Sequence, residues 1–378
     1  MPPAVLVPTF DHDALEERYA YWQSQMLLRR ELGTLVYYDR DETAACASDG
    51  IEEPFVVVVT DPLLLPSARL GERLQSALGD AFAAVPSANQ SDEPRQKVDV
   101  APYMTLREFE ARAAALDGAT ERIQWESHDP GVFLCATESL RHLTEPLCRV
   151  LNGRDVAVAR NVLIHRWASL RGQTRHDLLS RISPAAKNIL EFGCGEAPLG
   201  RALKERQTCR VVGVELDRDA AAIARKRIDD VYCGDVREIV SILKEKFDCI
   251  VGGDIVEHLD EPWSFLADLR NISTPGGTLL LSLPNVAHAS IIADLLHGRF
   301  DYVYMGLTCV GHLRFMTRQS IEDMLSIARW EVVSIEPQSL AISIEQAKLL
   351  EALRAANVPF VESDVAPTGF YVTARNPA

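Results

Sequence analysis

The stretch NILEFGCGEAPLG, residues 188–200, sets an acid, two glycines flanking a cysteine and a proline directly behind a short apolar run. The apolar run reads as a buried strand ending near Glu191, and Pro198 is preorganised for the first turn of a following helix. Between them, Gly193 and Gly195 let the backbone turn sharply and pass close beneath a ligand at the helix start. Glu191 bears on what that ligand is. An acid immediately before the glycines would repel a pyrophosphate, so a cationic ligand without phosphate suits this turn better than a dinucleotide.

Downstream, short apolar runs alternate with helical patterns: RVVGVE, then RDAAAIARKRI; DVYC, then VREIVSILKE; FDCIVGGD, then PWSFLADLRNI; and finally GTLLLSLP. Such alternation predicts a parallel sheet that binds ligands beyond the carboxyl ends of its strands. Polar residues fall at those ends: Glu191 and Gly193 on the first strand, Glu215 on the second, Asp235 on the third and Asp254 on the fourth. Glu215 is placed to accept two hydrogen bonds from ribose hydroxyls and Asp235 to receive an adenine amino group. S-adenosylmethionine, with a sulfonium, an α-ammonium and no phosphate, meets all these requirements.

Residues 188 to about 375 resemble the class I S-adenosylmethionine-dependent methyltransferases. Glu191-Phe192-Gly193-Cys194-Gly195 matches the first motif of that family, Glu215 its ribose-binding acid and Gly234-Asp235 its adenine-side motif. The resemblance implies an α/β fold with a Rossmann-like, seven-stranded, mostly parallel sheet. It also implies a cofactor site made by Glu191, Gly193, Cys194, Gly195, Glu215, Leu216, Asp235, Val236 and Asp254. The segment SLPNVAHASIIADLLHGRFDYVYMGLTCVGHLRFMTRQSI is similar to a bacterial subgroup found with surface-glycan and lipopolysaccharide assembly enzymes, although Gly311 stands where threonine is usual before His312. This implies a glycan or other small-molecule acceptor.

Methyl transfer needs an acceptor in line with the sulfonium methyl and usually a base to take its proton. The run DIVEH puts Asp254, Glu257 and His258 at the end of the fourth strand, making His258 the first base candidate, with His288 and His312 as the others. DIVEH with the distant His312 also resembles metal-assisted O-methyltransferases of the ubiquinone pathway and of small-RNA ends, where Glu-x-x-Glu-His and a remote histidine ligate a divalent cation. That likeness implies Asp254, Glu257, His258 and His312 as ligands for Mg²⁺, Mn²⁺ or Zn²⁺, with Asp254 where those families carry glutamate.

Composition narrows the partners. The chain has 378 residues, with 39 Lys and Arg against 54 Asp and Glu, a formal charge of −15 that disfavours nucleic acid and anionic membrane surfaces. RNA methylation is therefore the enzymatic runner-up. The eight cysteines form no Cys-x-x-Cys pair, which argues for reduced thiols over a zinc knuckle or disulfide framework. No apolar stretch approaches the ~20 residues of a membrane span, and no secretory leader is visible, so the expected location is the cytoplasm.

The N-terminal half reads as a helical segment over 1–50, an accessory α/β domain over 51–155 and a helical linker over 156–187, ahead of the methyltransferase domain at 188–378. Within 11–33, Leu15, Tyr19, Trp22, Met26 and Leu27 make an apolar stripe on a helix closed by Gly33. FVVVVTDPLLLP and DPGVFLCATESLRHL resemble fragments of family 2 glycosyltransferases. Of the metal-binding Asp-x-Asp of that family only Asp61 is present, followed by Pro62, so the region reads as degenerate. Its expected role is homodimer contact or substrate docking. RNVLIHRWASLRGQTRHDLLSRI, rich in Arg and His, reads as helix. The rival to an enzyme is a binding protein on a degenerate methyltransferase fold, disfavoured by the intact Glu191, Glu215 and Asp235.

Overall fold

The computed structural model describes residues 2–10, 14–30, 32–126, 128–167, 172–338 and 343–377. The chain forms two compact units, one of Met1–Ala168 with Asp301–Gly311 and a second of Ser169–Phe300 with His312–Ala378.

The first unit is built on β1 (Ala4–Pro8), β2 (Leu35–Tyr38), β3 (Phe55–Val59), β4 (Leu64–Pro66), β5 (Ala83–Ala88), β6 (Glu121–Gln124), β7 (Val132–Ala136) and β8 (Asp155–Arg166). The sheet runs β2-β1-β3-β7-β5-β8-β4, with β6 also on β8, and β7 lies antiparallel between β3 and β5. Alternate residues of β3 face opposite layers: Val56 and Val58 join one core and Val57 and Val59 another. Burial on both faces explains the unbroken valine run.

Three N-terminal expectations need correction. Residues 1–50 are not simply helical, because β1 is a fully buried strand paired in parallel with both β2 and β3. The 156–187 linker is not a helix over its first part: β8 occupies it, and its Arg and His positions lie on a strand whose hydrogen bonds are filled by β4, β5 and β6. Long-range pairing overrides a local helical pattern here. The helix Leu15–Arg29 forms, ending before Gly33, but Leu15, Trp22 and Met26 of its apolar stripe are exposed. The buried side is largely polar: Gln23 Nε2 donates to the Tyr302 carbonyl at 2.8 Å, Ser24 Oγ to that of Pro62 at 3.2 Å, and Gln25 accepts the Tyr37 hydroxyl at 2.6 Å. Residues 11–13 of the predicted helix lie outside the described residues.

The second unit carries β9 (Asn188–Phe192), β10 (Arg210–Glu215), β11 (Asp230–Cys233), β12 (Phe247–Gly253), β13 (Ser273–Pro284), β14 (Glu331–Pro337) and β15 (Gly369–Arg375). Its order is β11-β10-β9-β12-β13-β15-β14, parallel from β11 to β13, with β15 antiparallel to both neighbours. Each predicted strand from NILEF to GTLLLSLP falls in this sheet. The chain progresses outward in one direction from β9 to β11 and in the other from β12, so the order reverses between β9 and β12. Ligands bind at such a reversal. All eight cysteines are free thiols, four of them buried. Among the described residues no helix is long and apolar enough to cross a membrane.

Candidate active site

The carboxyl ends of β9, β10 and β12 assemble the predicted site residues. After β9 the chain turns through Gly193 at φ +69° and Gly195 at φ +55°, the left-handed region that favours glycine. A Cβ on Gly193 would stand 2.3 Å from Ile255 Cδ1, so a side chain here would have to displace Ile255 as well as hold a left-handed backbone. Cys194 between them is buried in the core beneath the turn. The helix Pro198–Arg206 begins as the proline predicts.

Glu215 at the end of β10 locks that turn. One carboxylate oxygen accepts the Gly195 N–H at 2.7 Å and the other the Asp217 N–H at 2.8 Å, leaving further lone pairs on each oxygen. Leu216 beside it is 73% exposed, an apolar side chain held in solvent next to the acid. Asp235 caps the helix Val236–Ile242 by accepting the Arg237 N–H at 2.8 Å, and the paired Arg237 guanidinium holds its carboxyl below the usual range.

Glu191 is buried, with Oε2 lacking a hydrogen-bond partner among the described residues. Loss of water pushes its carboxyl up to about 8; a backbone hydrogen bond from Gly200 opposes the rise, and the nearby Glu215 charge adds to it. A buried, under-satisfied acid beside an exposed glycine turn is poised to receive a positive group.

The second cluster lies past β12. Asp254, at φ +55°, accepts Arg175 Nη1 at 2.7 Å and the Ser282 hydroxyl at 2.9 Å. Glu257 sits on the single turn Val256–His258, 0% exposed, and both its carboxylate oxygens lack hydrogen-bond partners among the described residues. Burial, reinforced by the Asp254 charge, drives its carboxyl well above the normal range. Its main-chain carbonyl accepts the Leu313 and Arg314 N–H groups at 2.8 and 3.0 Å, which pins the chain just after His312. His312 Nε2 thereby reaches 3.9 Å from Glu257 Oε1, and the His258 and His312 rings meet edge to face at 4.9 Å. One potential ligand atom from each of Glu257, His258 and His312 lies within 4.8 Å of the others.

Two predicted residues take other places. Asp254 is absent from this three-residue cluster, its carboxylate being engaged by Arg175 and Ser282. His288 is buried and its Nδ1 accepts the Ser290 N–H, capping the helix Ala289–Leu296. Asn285, in the same PNVAH segment, is also buried and donates to the carbonyls of Asp364 and Pro367. That segment acts here as a latch for the chain entering β15. Arg175 is the site residue that sequence reasoning missed: it lay inside the expected helical linker, and beside a local bond to Asp177 it bonds Asp254 and Ser282, both far along the chain.

Known proteins are similar to part of this chain. Residues 160–335 match a family described as a methyltransferase domain, beginning inside β8 and ending in β14. The chain is 28% identical over 174 residues to the tRNA 5-carboxymethoxyuridine methyltransferase of Escherichia coli, covering 41% of this chain and 64% of that protein. It is 26% identical over 139 residues to a ubiquinone biosynthesis O-methyltransferase of Pseudomonas aeruginosa, covering 32% and 60%. It thus spans less than two thirds of either curated relative. Among solved structures, an S-adenosylmethionine-dependent methyltransferase from Archaeoglobus fulgidus aligns over 53% of this chain and 94% of its own, at 17% identity and a TM-score of 0.40. The residues that carry the second unit's parallel strand order and glycine turn therefore fall within the stretch matched by a methyltransferase-domain family.

Proposed function

We propose that this protein transfers the methyl group of S-adenosylmethionine to a hydroxyl oxygen of a polar small molecule, with sugar hydroxyls of a glycan as the acceptor class. The observation that carries the proposal is the meeting of Glu257, His258 and His312 past β12. Glu191 would face the donor's cationic end, and Glu215 has lone pairs left for ribose hydroxyls. In the transfer the S–CH₃ bond breaks as the O–CH₃ bond forms, the acceptor proton passes to His258 or His312, and S-adenosylhomocysteine leaves. The sugar class draws its support from the likeness of 282–321 to the glycan-assembly subgroup.

The same three residues suit a divalent cation, because buried carboxylate oxygens without hydrogen-bond partners beside two imidazoles form a ligand set. Glu257, His258 and His312 would hold the ion while Asp254 stays with Arg175. A bound ion would supply Lewis acidity that lowers the pKa of an acceptor hydroxyl. The test uses the full-length protein, methyl-labelled S-adenosylmethionine and, separately, surface-glycan and RNA fractions. Label entering glycan supports the proposal, and label entering RNA alone overturns the acceptor class.

A further inference from the structure

The segment that ends at His312 answers to different parts of the fold at its two ends. The chain leaves the second unit after Phe300, runs through the first as Asp301–Gly311 and re-enters the second at His312. In the second unit the junction is closed by rings, Phe315 meeting Phe300 at 5.3 Å and His312 at 6.2 Å between centroids. In the first unit the segment is held by the helix Leu15–Arg29. Tyr19 and Gln23, one turn apart on the same face of that helix, both donate to the main-chain carbonyl of Tyr302, the hydroxyl at 3.2 Å and the amide Nε2 at 2.8 Å.

Those two bonds reach His312 by a short route. Val303, next to Tyr302, accepts the Val310 N–H at 2.9 Å on its carbonyl, and its own N–H donates to the Thr308 carbonyl at 3.1 Å. The Thr308 hydroxyl donates to the Asp301 carbonyl at 2.8 Å. The segment is thus closed on itself, and Val310, two residues before His312, is tied to the neighbour of the residue that the helix holds. Val303 is also buried with Leu65, Phe109 and Leu163, which fixes the same point by packing. Gln23 is only 4% exposed, and an amide buried that deeply costs free energy unless its hydrogen bond is made. A chain of packed and hydrogen-bonded groups of this kind carries a displacement of its anchor onward.

We infer that Tyr19 and Gln23 are positioning residues for His312: through the Tyr302 carbonyl, the first unit sets where the imidazole stands against Glu257 and His258. The inference rests on the assignment of His312 to the methyl-transfer centre. It gives the first unit a part in the reaction that needs no ligand of its own. Misplacing a reacting group by about 1 Å can cost on the order of 100-fold in rate, so a bond lost far from the chemistry is expected to appear in turnover, with the donor's binding residues on β9 and β10 untouched.

The experiment uses the full-length protein labelled with ¹³C at Cε1 of its nine histidines, with His312→Gln assigning the His312 resonance by its loss. Gln23→Leu keeps the volume and removes the donor. Tyr19→Phe removes only a hydroxyl and carries the test should Gln23→Leu fail to fold. Val150→Ala loosens a core of the first unit that draws no buried residue from Leu15–Arg29 or from 301–311, and so controls for general destabilisation. The expected result is a shift of the His312 resonance in Gln23→Leu and a smaller one in Tyr19→Phe, none in Val150→Ala, and an unmoved signal from the exposed His142 throughout. In the acceptor fraction that takes label, turnover of Gln23→Leu should fall on the order of 10- to 100-fold with KM for S-adenosylmethionine unchanged. The resonance is read without donor or acceptor, so it decides the linkage even where no fraction takes label. A His312 signal unmoved in both variants, or moved as far by Val150→Ala, overturns the inference, and so does a loss confined to KM for the donor with turnover kept.

Discussion

Replacing Glu191 by glutamine tests the site at the point where its electrostatics are most unusual. The wild-type carboxyl titrates near 8 in the folded protein against 4.5 in an unfolded chain, because burial disfavours its charged form. A raised folded value gives stability that is fully present below pH 4.5 and is lost as pH rises to about 8. The 3.5-unit gap, at 1.36 kcal/mol per unit, amounts to a loss on the order of 3 kcal/mol between pH 5 and pH 8. Glutamine does not titrate, so Glu191→Gln should lack that component whatever its absolute stability. Hydrogen exchange of amides in β9 and β12 reads this unit by itself. Protection there should fall with pH more steeply in the wild type than in the variant, after correction for intrinsic exchange. Affinity for S-adenosylmethionine should drop on the order of 10- to 100-fold in the variant, as expected when a charge-assisted hydrogen bond is removed. Equal pH slopes in the two proteins would refute the buried-acid account, and unchanged donor affinity would refute the role given to Glu191.

Glu215→Ala should weaken S-adenosylmethionine binding by calorimetry by about 1.5–3 kcal/mol for each charge-assisted hydrogen bond lost, since it frees the Gly195 and Asp217 N–H groups as well as removing the ribose acceptor. His258→Ala should lower turnover by roughly 10²–10⁴-fold with donor affinity intact if it acts as a base. If the cluster instead holds a metal, a chelator should abolish turnover and Mg²⁺, Mn²⁺ or Zn²⁺ should restore it. A double His258→Ala, His312→Ala variant that turns over at the wild-type rate would eliminate both roles. The first unit should give no binding heat with nucleotide sugars, because Asp61 is already held by Arg166 at 3.2 Å and by the Leu63 N–H at 3.0 Å.

The second unit was legible in the sequence because its signals are local. A strand, a glycine turn, a proline at the first helical position and an acid at each strand end occupy adjacent positions, and their spacing carries the topology. The first unit was less legible because its elements depend on distant partners. AVLVP is too short to announce a buried strand, and RNVLIHR becomes one only when β5 and β6 are there to pair with it. Arg175 shows the same limit at the site: nothing beside it in sequence says that its guanidinium will meet Asp254 and Ser282. The stripe on Leu15–Arg29 misled for another reason, since periodicity identifies a helix's apolar face but does not tell whether that face is covered.

The assignment of Asp301–Gly311 to the first unit bears on how the protein is made. A ribosome releases the chain from its N-terminus, and domains that are continuous in sequence can fold in the order they emerge. Here the nascent first unit must wait for Val303, Leu307 and Cys309, buried side chains synthesised only after β9 to β13. His312 follows that returning segment directly, so it is the last member of the Glu257, His258 and His312 cluster to leave the tunnel. A gene fragment encoding 169–378 alone would still carry those three apolar side chains, now without the unit that buries them, and would be expected to aggregate where the intact chain does not.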